Sequence, residues 1–357
     1  MKYSKNYISV IDIFCGVGGL TCGLIKSGIP VVAGYDIDAS CKYAYEKNNI
    51  GAKFFHCNVK NILGSEITRQ FNDAKYKVLV GCAPCQPFSK YTQGVKSPSE
   101  KWGLLYEFSR IIKETQPHII SMENVPELVR HTIFCEFMEF LQKEGYYPDT
   151  KIVYCPDYGI PQERRRLVIL ASKLAPITIL PPTHNHKNYL TVRDVLSQTP
   201  KLCAGEKHTK DILHRCSSLS LINLTRIRHS ISGGTWRDWP RELIAKCHKS
   251  NSGSTYASVY GRMQWDKPAP TITTEFFGYG NGRFGHPDQD RAISLREGAI
   301  LQTFPKNYKF FPNEKELSFK KAGQMIGNAV PVKLAVIIGK TIIRHIETYK
   351  KKNGKTN

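Results

Sequence analysis

Ser9-Val10-Ile11-Asp12-Ile13-Phe14-Cys15-Gly16-Val17-Gly18-Gly19-Leu20 is an apolar, β-branched run that ends in a glycine-rich turn and leads into a helical pattern reaching Ile25. Strand, glycine turn and helix in that order predict a nucleoside-cofactor loop. Glycine lets the backbone turn tightly and approach a ligand, and the start of the helix presents N–H groups. The next apolar run, Val31-Val32-Ala33-Gly34-Tyr35, ends in Asp36, about 20 residues after Gly16, the spacing at which an acidic side chain meets ribose hydroxyls. Further strands are predicted at Tyr76 to Val80, Pro117 to Val125, Lys151 to Tyr154 and Leu167 to Leu170, with a late helix from about Pro331 to Tyr349. The pattern is that of an α/β fold with a mostly parallel sheet, whose ligands sit beyond the carboxyl ends of the strands.

Two of those strand ends carry chemistry. Tyr76 to Val80 runs into Gly81-Cys82-Ala83-Pro84-Cys85-Gln86-Pro87-Phe88-Ser89, which puts Cys85 on a proline-stiffened turn where α/β enzymes keep their nucleophiles. Pro117 to Val125 brings Glu123 and Asn124 to the same rim. A thioredoxin-like reading of Cys82-Ala83-Pro84-Cys85 explains neither the glycine loop nor Asp36. A zinc site lacks a second suitably spaced ligand pair, so no metal is expected. A nicotinamide-dependent dehydrogenase would use the glycine loop and Asp36 but not Cys85.

Composition narrows the substrate. The chain has 357 residues, 41% hydrophobic and 11% aromatic, enough for a full core and a smaller second domain. Its formal charge of +21 favours a polyanionic partner, with nucleic acid the leading candidate. The start, Met1-Lys2-Tyr3-Ser4-Lys5-Asn6, has no signal-peptide pattern, no apolar run reaches the roughly 20 residues of a membrane span, and the 11 cysteines lack a disulfide spacing. A cytoplasmic protein with reduced thiols is expected. After Pro181-Pro182 the sequence turns polar and basic, and Arg226, Arg228, His229, Trp236, Arg237 and Trp239 mix cations with aromatics as nucleic-acid surfaces do.

Read in order, Phe14-Cys15-Gly16-Val17-Gly18-Gly19, Pro84-Cys85-Gln86-Pro87-Phe88-Ser89, Glu123-Asn124-Val125, Gln162-Glu163-Arg164-Arg165-Arg166 and Gly327-Asn328-Ala329-Val330 resemble the ordered motifs of DNA (cytosine-5)-methyltransferases of the bacterial restriction-modification type. The resemblance spans nearly the whole chain. It implies a Rossmann-like S-adenosylmethionine-dependent methyltransferase fold, with residues 1–184 and 306–357 catalytic, 185–305 forming an irregular target-recognition domain, and a DNA cleft between them. Cys85 would add to cytosine C6, Glu123 would bind the N3 and amino edge of the ring, and Arg164 and Arg166 would hold the base O2 or the nearby backbone, Arg166 more directly.

S-adenosylmethionine would meet Phe14, Gly16, Gly18, Gly19, Leu20, Asp36, Ile37, Asn58, Pro84, Leu104, Asn328 and Val330. Gln86, Ser89, Arg226, Arg228 and Arg237 would touch DNA, and 89–102 would be a mobile loop closing over a flipped base. Three positions depart from the family pattern: Asn58 stands where aspartate is usual, Cys15 where serine or alanine is commoner, and Ala83 where proline often precedes the Pro-Cys pair. The partners implied are double-stranded DNA and, functionally, a restriction endonuclease, with a monomer acting on a short site. A transfer RNA methyltransferase would carry a Cys-Phe-Thr signature, absent between Leu190 and Thr274. A catalytically inactive DNA-binding subunit would have no chemical reason to keep Cys85, Glu123 and the glycine loop together.

Overall fold

The computed structural model of the chain describes residues 3–84 and 98–353. Its first strand, β1 (Ile8–Ile13), is buried at every position, Ser9 and Asp12 included, as befits a strand covered on both faces. Around it lie β2 (Val31–Asp36), β3 (Lys53–His56), β4 (Tyr76–Gly81), β5 (Ile119–Asn124), β6 (Tyr147–Tyr154) and, after the two-residue β7 (Gln162–Glu163), β8 (Arg165–Ser172). Seven of these form one sheet in the order β3-β2-β1-β4-β5-β8-β6. The strands β1 to β5 pair in parallel, and β8 runs antiparallel between β5 and β6. Strand order reverses between β1 and β4, so the crevice outside their carboxyl ends is the place where such sheets bind ligands.

The helices α1 (Gly19–Ser27), α2 (Lys42–Asn48), α3 (Gly64–Phe71), α4 (Pro98–Thr115) and α5 (Thr132–Lys143) follow the strands in alternation. One apolar cluster joins Ile11, Leu79, Ile120 and Ile169 of the sheet to Ile67, Phe71, Phe108, Phe137 and Leu141 of the helices. The 18-residue α4 starts at Pro98, so the end of the loop expected over 89–102 is helical instead. Proline fits the first turn of a helix because its missing N–H has no intrahelical partner there.

The chain divides into two compact units. The first contains residues 1–154, 165–182 and 330–357; the second contains 155–164 and 183–329. The second unit therefore takes in 155–164 and 306–329 besides the 185–305 expected of a recognition domain. It holds β7, the parallel partner β9 (Ala269–Pro270), and the short helices α6 (Val192–Leu196), α7 (Leu221–Arg228), α8 (Asn251–Ser254), α9 (Leu295–Leu301) and α10 (Phe319–Gly327). With so little regular structure, buried carbonyls must find other donors. Arg262 supplies several, donating to the carbonyls of Ile227, Ser230, His286 and Gln289 at 2.8 to 3.1 Å. An apolar cluster of Ile227, Trp236, Trp239, Leu243, Val259 and Tyr279 forms beside it.

The last helix, α11 (Val332–Asn353), returns to the first unit and packs on α1. Phe319–Asn353 is the one described segment long and apolar enough to cross a membrane, and 72% of its most apolar window is buried, as in a core helix. A Cβ at Gly23 would collide with the Ala335 side chain and the Val332 carbonyl, so the two helices meet with no room for a side chain there. Gly23→Ala is expected to destabilise the first unit by about 1–3 kcal/mol, because overpacking a helix contact forces backbone movement that the gain in helix propensity does not offset. A urea unfolding midpoint equal to the parent's would refute this.

Candidate active site

Most candidate residues of the first unit sit at or just beyond the carboxyl ends of the parallel strands; Arg166 lies at the start of the antiparallel β8, Leu104 within α4 and Val330 just before the last helix. After β1, Phe14 adopts φ 63°, a left-handed backbone that costs a bulky residue free energy, and Gly16 and Gly18 follow at 50° and 86°. Left-handed residues this close together coil the turn tightly. Gly19 and Leu20 are buried at the start of α1, whose N-cap Gly18 brings no capping side chain and whose first turn has no acidic residue. Space beside Gly16 is open, since a Cβ there would meet nothing within 4 Å.

Asp36, at the end of β2, ties this turn down: its Oδ2 accepts the Gly16 N–H at 2.8 Å and its Oδ1 the Asp38 N–H at 2.9 Å. Burial raises its pKa, opposed by those same N–H groups. Each carboxylate oxygen keeps a second acceptor direction. Ile37 beside it is 64% exposed, an apolar surface left uncovered at the rim. Phe14 and Leu104 are partly buried against the same core. After β3, the Asn58 side chain accepts the Lys60 N–H at 3.1 Å, capping a short helical turn. Val330 is buried, whereas Asn328 is exposed at the end of α10 in the second unit.

Strand β4 leads into the cysteine motif. Cys85, Gln86 and Ser89 lie outside the described residues; Pro84, the last residue before them, is exposed. The approach is pinned at two points. Cys82 N–H donates to the Ile13 carbonyl at 3.3 Å, and the Asn124 amide donates to the Ala83 carbonyl at 3.3 Å. Elsewhere in this unit burial raises the thiols of Cys15, Cys22 and Cys41, Cys22 to about 11, leaving them packed apolar groups and poor nucleophiles.

Glu123 is 3% exposed, yet both its carboxylate oxygens have a neighbour. Arg166 Nε lies 2.8 Å from Oε1, and the Cys82 thiol donates to Oε2 at 2.9 Å. Sheet register explains the grouping. Gly81 pairs with Met122, so the next rung sets Cys82 against Glu123, and Glu123 pairs with Val168, two residues along β8 from Arg166. Residues two apart on a strand share a face, so the three side chains form a row. Arg166 and Glu123 were expected here; Cys82 was not.

Arg164 takes other partners than Arg166. It is 3% exposed within the second unit and donates to the carbonyls of Ile272 at 2.9 Å and Gly327 at 3.3 Å. The arginines expected at DNA also make contacts inside the fold. Arg226 donates to the Leu243 carbonyl and lies over the rings of Trp239 and Tyr260. Arg237 lies over Trp236 and donates to the Ser254 carbonyl, and Arg228 pairs with Asp290 at 3.3 Å. Arg228 and Arg237 keep exposed positions on that unit.

A family model of C-5 cytosine-specific DNA methylases matches residues 8–344. The Type II methylase M.HgiDII of Herpetosiphon aurantiacus is 55% identical over 342 residues, covering 95% of this chain and 96% of that protein. The Type II methyltransferase M1.BsuMI of Bacillus subtilis (strain 168) is 31% identical over 356 residues, covering 94% of this chain and 81% of its own length. Among solved structures, an Escherichia coli prophage-encoded protein described as a DNA modification methyltransferase superposes with TM-score 0.72 at 22% identity, over 95% of this chain and 99% of the other, a likeness of fold. With β1 to β5 feeding one rim and the family match running across both units, the chain belongs to the C-5 cytosine-specific DNA methylases and is a DNA (cytosine-5)-methyltransferase of the Type II restriction-modification kind.

Proposed function

We propose that this enzyme uses S-adenosylmethionine to methylate C5 of one cytosine within a short site of double-stranded DNA, by transient addition of Cys85 to C6, and that the mark protects the site from a partner endonuclease. The observation that carries the reading is the row Arg166, Glu123 and Cys82 on the strand end that leads to Cys85. Cytosine C5 is a poor nucleophile. When the Cys85 thiolate bonds to C6, the C5=C6 electron pair becomes available at C5, and after methylation loss of the C5 proton restores that double bond and expels the sulfur. Charge that develops on the ring during addition needs a partner at N3 and the exocyclic amine, and Glu123 has the chemistry for it. Arg166 holds that carboxylate in place and brings a positive charge to the base.

The cofactor, when bound, supplies an electrophilic methyl group. The residues after β1 and β2 fit it: the open space at Gly16, the left-handed turn, the acceptor directions remaining on Asp36 and the uncovered Ile37 suit an adenosine and its ribose. Because a stacked base cannot be reached, the target has to leave the duplex. The irregular, basic second unit is our choice for recognition, with Arg228 and Arg237 its exposed cations. The protective role is supported by the names of the Type II relatives. It implies action in the cytoplasm of a prokaryote, and we read the enzyme as a monomer.

Bisulfite sequencing of DNA from a methylation-deficient bacterial host expressing the chain tests the proposal. Protection of one cytosine within one short sequence context is expected. Full conversion of every cytosine, with soluble protein present, would overturn it.

A further inference from the structure

Glu123 is bracketed, and the two brackets differ in kind. Arg166 is a permanent cation at one oxygen; Cys82 is a weak, neutral donor at the other. We propose that Cys82 is a positioning residue for methyl transfer, which orients the Glu123 carboxylate toward the cytosine edge; this rests on the reading of Glu123 given above.

The geometry argues for it in three steps. Cys82 continues the β4 ladder by one residue, so its side chain stands on the same face as Glu123. Its main chain is fixed independently by the bond from its N–H to the Ile13 carbonyl, and Asn124 holds the following Ala83 carbonyl, so the thiol is delivered from a backbone tied on both sides. The Arg166 contact is an ion pair at Oε1 without an aligned hydrogen bond, so by itself it leaves the carboxylate free to turn; the hydrogen bond from the Cys82 thiol to Oε2 fixes its orientation. Since Oε2 has two acceptor directions, it can keep the thiol while taking the amino N–H of a cytosine. A thiol suits this place because it adds no charge.

The test compares Cys82→Ala, Cys82→Ser, Glu123→Ala and Cys82→Ala/Glu123→Ala on a duplex carrying the site mapped by bisulfite sequencing, with kcat and KM for DNA read separately. Cys82→Ala is expected to lower kcat about tenfold, or about 1.4 kcal/mol in barrier, with KM for DNA within about twofold of the parent. Serine keeps an O–H donor at the position and is expected to recover kcat to within about threefold. Adding Cys82→Ala to Glu123→Ala should cost nothing further, since residues acting through one group are not additive. A Cys82→Ala enzyme at full kcat, a serine variant as slow as the alanine one, or additive losses in the double variant would each overturn the positioning role. Full activity in Glu123→Ala would instead overturn the reading of Glu123 itself, and the two failures are therefore distinct.

Discussion

Serine in place of Cys85 is expected to stop methyl transfer, a loss on the order of 10³-fold or more, as when other enzymes lose their nucleophile. Only one atom changes, yet the hydroxyl ionises far above the range where a thiol does and is a much poorer nucleophile toward an aromatic ring. Binding should persist, because neither the glycine turn nor the basic second unit is touched: Kd for duplex DNA is expected to stay within about twofold. Covalent capture makes the result specific. On an oligonucleotide with fluorine at cytosine C5, no C5 proton is available for the elimination that frees sulfur, so the parent enzyme should form an adduct stable to denaturation and Cys85→Ser none. Turnover by Cys85→Ser within tenfold of the parent would remove the proposed nucleophile.

The largest expected effect on stability lies in the second unit. Arg291 and Glu297 are fully buried and face each other in a two-point pair, Nη1 to Oε2 at 2.7 Å and Nη2 to Oε1 at 2.8 Å. Glu297 also closes the capping box of α9 by accepting the Ser294 N–H at 2.7 Å. Glu297→Ala leaves a buried guanidinium with no counter-charge and removes the carboxylate half of the capping box, and is expected to cost about 3–5 kcal/mol. Trp236, Trp239 and Trp265 all belong to this unit, so the urea transition followed by tryptophan fluorescence reports it directly. A loss below about 1 kcal/mol would mean that Arg291 finds water instead.

The same network gives the unit an acid limit. Burial would raise the Glu297 pKa, but the hydrogen bonds and charge of Arg291 outweigh it and pull it down to about 2 from an ordinary 4.5. A carboxyl depressed on folding stabilises above its unfolded pKa and loses that contribution as pH falls from about 4.5 through about 2. Burial pushes His286 down to about 4 from 6.5, so the unfolded chain takes up its proton first and stability falls between those values too. Both slopes have one sign, and the urea midpoint should decline steadily below pH 6.5. Asp12 works the other way in the first unit, where burial raises it to about 7 and its ionisation opposes folding as pH rises.

The parallel sheet was legible because β1, β2 and β4 are short, mostly apolar and β-branched runs that lead into Asp36 or a glycine turn. Strand β8 was legible in its apolar middle, Leu167 to Leu170; its charged start at Arg165 and Arg166 is set by pairing with β6, which the apolar pattern does not mark. The second unit was the hardest to read. Its shape depends on side chains such as Arg262 and Arg291, which satisfy carbonyls far away in sequence, and no local periodicity announces that. For the same reason the inward hydrogen bond of Arg226 to the Leu243 carbonyl could not be read from sequence: a guanidinium donating to a carbonyl has the same letter as one facing a phosphate. Glu123 and Arg166 were found from motif order, whereas Cys82 needed register between β4 and β5, a quantity that exists only in three dimensions.

Helix α11 has a consequence for biosynthesis. It packs beside Gly23 and Leu24, which leave the ribosome about 300 residues ahead of it, and residues 183–329 of the intervening chain belong to the other unit. At roughly 5–20 residues per second α1 therefore waits on the order of 15–60 s for its partner. Throughout that interval the nascent polypeptide exposes an apolar flank that chaperones and proteases can recognise, and a prematurely terminated product keeps it for good. Completion of the first unit thus waits on the translation of α11.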